Sequence, residues 1–138
     1  MIKQILVAYD GSAPADKAFD YGLELAAKYS AGLYVLAVAQ PPEPPDEVET
    51  EAMLEGATEH YRQQFEPMRA RAAAAGVSAA FEVAVGHPAQ QIVDQAEARH
   101  VDLIVMGHRG KTFIERWLLG SVSARVINHA HCSVTVVR

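Results

Sequence analysis

Five short apolar runs alternate with stretches whose apolar residues recur at helical spacing, and this alternation is what most restricts the fold. The runs are Gln4 to Tyr9, Leu33 to Ala39, Ser78 to Val85, Asp102 to Met106 and Ser133 to Val137. After the first, Ala15, Ala18, Phe19, Gly22, Ala26 and Tyr29 fall on one helix face. Met53, Ala57, Tyr61, Phe65, Met68, Ala72 and Ala75 do so after the second, and Ala89, Ile92, Val93 and Ala96 after the third. Ser123, Val126, Ile127 and Ala130 share a face before the last run. A strand that is apolar without interruption must be covered on both sides, which calls for a parallel sheet between two helical layers. Right-handed crossovers leave few strand orders. Periodicity alone leaves both 3-2-1-4-5 and the flavodoxin-like 2-1-3-4-5 open.

Breaker residues set the expected boundaries. Pro14 suits the first helical position with Ser12 or Ala13 as cap, and Ser30-Ala31-Gly32 stops that helix. Pro41, Pro42, Pro44 and Pro45 read as a stiff polyproline-like connector rather than an SH3 ligand. Seven acidic residues between Glu43 and Glu59, followed by Arg62, Arg69 and Arg71, match the polarity of a helix dipole. Pro67 lies inside that pattern and predicts a kink near Gln64 to Glu66, or two helices end to end.

A length of 138 residues fits one domain with a core of its own. A net charge of −5 argues against non-specific nucleic-acid binding, which needs a basic footprint. No apolar run approaches the roughly 20 residues of a membrane span. Met1-Ile2-Lys3-Gln4 enters a strand with no signal-peptide pattern, so the expected location is cytoplasmic. Cys132, alone, reads as a small buried apolar residue in a reducing compartment. The six histidines have no metal-ligand spacing; His129-x-His131 falls far short of a zinc site.

Chemistry concentrates between Val105 and Ser123. A buried run ends in Gly107-His108-Arg109-Gly110, nine residues pass, and Gly120-Ser121 opens an amphipathic stretch. Glycines admit close backbone approach, and a helix N-terminus presents unpaired N–H donors at the positive end of its dipole. Strand, glycine turn and helix N-terminus together make an anion cradle. Ser121 can cap the helix or give its hydroxyl to a phosphate. The same residues also suit a plain turn with an N-cap, and Asp10-Gly11-Ser12 suits a turn in which the carboxylate binds its own backbone. Both alternatives stay open on the residues alone.

The spacing G-x2-G-x9-G-S resembles the nucleotide-binding signature of the universal stress protein family. The opening Ile5 to Ser12 and the closing Cys132 to Val137 are similar to that family's two ends, so the likeness covers nearly the whole chain in order. It implies one domain over residues 1–138, built as a three-layer α/β sandwich with a five-stranded parallel sheet in the order 3-2-1-4-5. That is an adenine nucleotide alpha hydrolase-like, Rossmann-like architecture. The winding then reverses between the first and fourth strands, where open α/β sheets bind ligands. Asp10 and Gly107 stand at those two strand ends.

The resemblance also implies roles. Asp10 lies near adenine and ribose, Ala8 is a further cofactor-binding position, and the Val38 backbone reads the adenine edge. Met106 and Gly107 line the ribose side, and the loop to Gly110 bends around the phosphates. Gly120, Ser121 and Val122 supply N–H groups, joined by Ser123. Arg109 and Lys111 neutralise phosphate charge or are solvated loop charges. The implied ligand is ATP or AMP, with any Mg²⁺ held mostly by phosphate and water. Phe113, Ile114, Trp117, Leu118 and Leu119 are expected to tuck against the core or a partner subunit.

No residue reads as a dedicated catalytic base, and P-loop, HIGH-like and S-G-G-x-D-S motifs are absent. A response-regulator receiver is set aside because Gly86-His87 stands where it needs a phosphorylatable Asp. The fifth strand, Ser133 to Arg138, would be an apolar edge that invites pairing, and a homodimer through it is expected. The leading expectation is an ATP-binding dimeric stress-response switch or sensor. The alternatives are a slow ATPase and a nucleotide-independent dimeric scaffold.

Overall fold

The computed structural model describes residues 1–42, 47–110 and 119–138. Its elements alternate as expected: β1 (Gln4–Ala8), α1 (Ala13–Tyr29), β2 (Gly32–Ala39), α2 (Glu47–Ala74), β3 (Ala79–Val85), α3 (Pro88–Ala98), β4 (Leu103–Gly107), α4 (Ser121–His129) and β5 (Ser133–Val137). All pairings are parallel and the order is β3-β2-β1-β4-β5. This excludes the flavodoxin-like order and agrees with the one the resemblance implies. The second half of the proline connector, including Pro44 and Pro45, lies outside the described residues, as do Lys111 and the run Phe113 to Leu118.

Strand faces divide the core in two. Ile5, Val7, Leu33, Val35, Leu103 and Val105 pack beneath α1 and α2. Leu6, Tyr34, Leu36, Ile104 and Met106 pack beneath α3 and α4. The middle strands are buried on both faces because each face has its own helical layer, which is why they read as uninterrupted apolar runs.

The helices follow from local chemistry. Ser12 caps α1, its Oγ accepting the Ala15 N–H at 3.2 Å, and Pro14 occupies the second helical position rather than the first. A Cβ at Gly22 would come within 2.5 Å of Val7 Cγ2, so glycine there lets α1 lie directly on β1. Ser30, left-handed at φ 54°, ends the helix, and Tyr29 turns outward at 55% exposure instead of joining the buried face.

The second helix corrects two expectations. It runs as one helix through Pro67, so the alternative of two helices is excluded. Pro67 and Gln63, whose carbonyl loses its N–H partner, are both exposed, and water can take the freed acceptor. The apolar stripe also starts later than its spacing suggests. Tyr61, Phe65, Met68 and Ala72 are buried, whereas Met53 is 57% exposed and Ala75 lies beyond the helix. Phe65 packs on Phe81 at 5.3 Å and on Tyr9 at 6.2 Å between ring centres, fastening the C-terminal half of α2 to the sheet. In α4, Ile127 is exposed, leaving Val126 and Ser123 as the buried face.

Among the described residues no helix is long and apolar enough to cross a membrane. Cys132 is half-buried, and burial raises its thiol pKa, which suits a packed apolar residue.

At the opposite end of the sheet from Asp10, Asp102 accepts N–H groups from Lys3 at 2.8 Å and Gln4 at 2.9 Å. These bonds hold its carboxyl below the ordinary 3.8. A depressed folded-state pKa adds stability above the unfolded value and loses it as pH falls through the folded one. Asp102→Asn is therefore expected to be less stable than wild type at pH near 7, with the gap closing below about pH 4. Urea unfolding across that range would show it, and a gap independent of pH would contradict it.

Candidate functional site

The chain leaves β1 toward one face and β4 toward the other, so the winding of the sheet reverses at the carboxyl ends of these neighbouring strands, the place where open α/β sheets bind ligands. On the β1 side, the Tyr9 N–H donates to the Leu36 carbonyl at 2.9 Å, and the backbone then turns at Gly11, whose φ is 82°. Asp10 Oδ1 accepts the Ser12 N–H at 2.9 Å, so the turn-forming role is real. Its second oxygen points elsewhere. A Cβ built on Gly110 would lie 2.7 Å from Asp10 Oδ2, which places this carboxylate edge directly against the glycine loop.

On the β4 side, each backbone group has a definite place. The His108 N–H donates to the Val137 carbonyl at 2.8 Å, extending the β4–β5 ladder by one bond. The Gly120 N–H donates to the His108 carbonyl at 2.7 Å. Gly120 is the N-cap of α4, extended at φ −62° and ψ 152°, and the first helical bond runs from the Ala124 N–H to its carbonyl. The amides of Ser121, Val122 and Ser123 consequently have no acceptor within the helix. Ser121 is exposed and Val122 partly so.

Three expectations change in detail. Gly120 was expected to supply an N–H to a ligand, but that N–H is bonded to His108, and its contribution is the cap itself. Ser121 is the first helical residue, not the cap. Ser123 is 3% exposed and its hydroxyl donates to the Gly107 carbonyl at 2.8 Å, so only its amide faces the first turn as a donor. This bond ties α4 to the end of β4.

The signature glycines differ in purpose. A Cβ at Gly107 would stand 2.6 Å from Pro14 Cβ and 3.0 Å from the Pro14 backbone. One at Gly120 would meet Arg109 Cα at 3.0 Å and the His108 carbonyl at 3.3 Å. Both are glycine so that protein can pack against protein. Gly110 alone faces the Asp10 carboxylate.

The remaining expected residues gather on the α3–α4 side of the sheet. Ala8, Val38 and Val122 are partly buried against the cluster that contains Met106. Arg109 is partly buried beside Gly120. Tyr9, whose hydroxyl donates to Asp16 at 3.1 Å, has its pKa raised to about 12 by burial and then by Asp16. It stays a neutral donor at physiological pH. Sequence reasoning missed His108, which is 8% exposed and whose Nδ1 has no hydrogen-bond partner among the described residues. Its burial comes from tertiary packing, which local spacing does not register. Elsewhere on this face, α3 and α4 enclose a groove of about 340 Å³ lined in part by Asp94, Arg125, His129 and His131. Among the described residues no three His, Cys, Asp or Glu side chains are grouped to hold a metal ion.

Comparison with known proteins gives a consistent result. The sequence profile of the universal stress protein family matches residues 1–138. A universal stress protein of Methanocaldococcus jannaschii is 37% identical, the match covering all of this chain and 83% of that one. Universal stress protein UspA from Lactobacillus plantarum superimposes with a TM-score of 0.92 at 27% identity, covering 99% of this chain and 98% of the other. A universal stress protein in complex with cAMP superimposes with a TM-score of 0.69 at 25% identity, covering 99% and 97%.

The two loop glycines should separate experimentally. Gly107→Ala forces a methyl into Pro14 and is expected to destabilise the protein by about 1–3 kcal/mol in urea with no ligand present. Gly110→Ala meets only the end of a side chain and should stay within about 0.5 kcal/mol of wild type. Equal stability of Gly107→Ala and wild type would contradict the packing role.

Proposed function

The chain belongs to the universal stress protein family, and from that premise we propose that it binds an adenine nucleotide, ATP in the first place, between the ends of β1 and β4. In this reading the whole chain acts as one cytoplasmic domain, paired through β5 into a homodimer that serves as a nucleotide-dependent stress-response switch. The observation that carries the proposal is the Asp10 carboxylate edge lying against Gly110, in the loop whose Arg109 packs beside Gly120, the N-cap of α4. A ribose offers hydroxyl donors to such an edge, and phosphates suit N–H donors at a helix N-terminus. The cAMP complex of a similarly folded relative supports the adenine-nucleotide class.

Each residue then has a task. Asp10 Oδ2 accepts from the ribose, while Oδ1 keeps the carboxylate oriented through Ser12. Ala8, Val38 and Met106 form the apolar bed for adenine and ribose, with the Val38 backbone reading the base edge. The amides of Ser121, Val122 and Ser123, with the Ser121 hydroxyl, hold phosphate oxygens. Gly107 and Gly120 keep β4, α1 and the loop close enough to shape the site, and Arg109 adds positive charge beside the cap. Mg²⁺, arriving with the nucleotide, would neutralise phosphate charge.

Pairing through β5 rests on its place at the sheet edge. It is hydrogen-bonded to β4 and has no second strand neighbour in the described sheet. An isologous pairing with a second copy satisfies such an edge.

A ligand that binds only the folded protein stabilises it by RT ln(1 + [L]/Kd), about 2.7 kcal/mol at one hundred times Kd. ATP should therefore raise the melting temperature by several degrees. Gly110→Val, which drives a branched side chain into the Asp10 carboxylate, should lose most of that rise while melting near wild type without ligand. If ATP, AMP and cAMP at millimolar concentration all leave the wild-type melt unchanged, the proposal is wrong.

A further inference from the structure

The groove between α3 and α4 has walls of opposite charge. On α3, Gln90, Asp94 and Glu97 fall at i, i+4 and i+7, so both carboxylates stand on one stripe of the helix. On the facing side, Arg125 and His129 lie one turn apart on α4, and His131 follows just before β5. Ala89 and Val93 are buried and form an apolar floor. A second hollow of about 180 Å³, lined in part by Ala96, Val101 and Cys132, shares Val93, Glu97 and His131 with the first and continues the apolar lining.

The walls face each other without closing. Asp94 Oδ1 accepts from its own helix, from Gln90 Nε2 at 2.8 Å. His131 Nε2 and Glu97 Oε2 stand 3.8 Å apart, too far for a hydrogen bond. Arg125 has no ion-pair partner among the described residues. An anion alone would gain Arg125 but meet Asp94 and Glu97, and a cation alone would meet Arg125. A molecule with a carboxylate at one end and a cationic nitrogen at the other satisfies both walls, and its stem covers the floor. The groove, about 340 Å³, lies near the lower end of small-molecule sites, so that molecule is small.

We propose that the α3–α4 groove is a binding site, separate from the proposed nucleotide site, for a small zwitterion of the ω-amino acid class. The carboxylate of the ligand lies on Arg125 with His129 beside it, its ammonium lies at Asp94 and Glu97, and its methylene stem runs over Ala89 and Val93. None of these residues has a task in nucleotide binding, so the two sites stand or fall separately. Because the charged walls are exposed, binding is weak and falls as salt rises.

The test titrates the isotopically labelled full chain with ε-aminocaproate, and in parallel with caproate and hexylammonium, which resemble it but carry one charge each. The amides of Asp94, Glu97, Arg125 and His129 should shift with ε-aminocaproate along one saturating curve. Its dissociation constant should be at least about threefold lower than that of either single-charge probe, the scale of a partly exposed ion pair. Arg125→Gln should remove the advantage over hexylammonium, and Asp94→Asn combined with Glu97→Gln the advantage over caproate. All three side chains are exposed, so these substitutions leave the core intact. Wild-type protein that binds either single-charge probe as tightly as ε-aminocaproate overturns the proposal. So does the lack of any saturable shift at these amides at tens of millimolar, or a preference for ε-aminocaproate that persists in both variants.

Discussion

The site exists because α1 begins almost on top of the end of β4. Pro14 fills the place where a side chain at Gly107 would be. Since β1 and β4 are neighbours in the sheet, this approach draws the turn after β1 toward the loop after β4. Asp10 is then brought against Gly110 by the same geometry. A side chain at position 107 would push α1 and β4 apart.

From that contact outward, polar groups are allotted one by one. Asp10 divides its oxygens between its own turn and the loop. Gly107 and His108 use their backbone to hold Ser123, Gly120 and Val137. What remains for a ligand is a carboxylate edge, the first-turn amides of a helix capped by glycine, and an apolar bed on the α3–α4 face. That combination suits a molecule with hydroxyls, a flat apolar part and negative charge.

Much of this could be read from the residues before any coordinates. Strand runs buried on two sides and helices buried on one produce different periods, so the elements and the buried faces of α1 and α3 were legible. Strand order was not, because periodicity reports which face a residue occupies and not which strand is its neighbour; the likeness at Ile5 to Ser12 and in the glycine spacing supplied it. Helix α2 shows the limit on the other side. Its spacing continues back to Met53, yet the stripe is buried only from Tyr61 onward, so amphipathic spacing alone does not tell how much of a helix is covered. Within the site, the proximity of Asp10 to the loop was legible from the motifs. The bonded states of the Gly120 amide and the Ser123 hydroxyl were not, because both depend on distances between segments far apart in the chain.

The central claim is that an adenine nucleotide lies between Asp10 and the N-terminus of α4, and amide resonances report on that place directly. In a titration of isotopically labelled protein with ATP, the amides of Gly110, Ser121, Val122 and Ser123 should shift together and saturate along one binding curve, with Val38 following. Resonances of those residues that stay fixed, while shifts collect at Arg125, His129 and His131 in the α3–α4 groove or appear nowhere, would contradict the account.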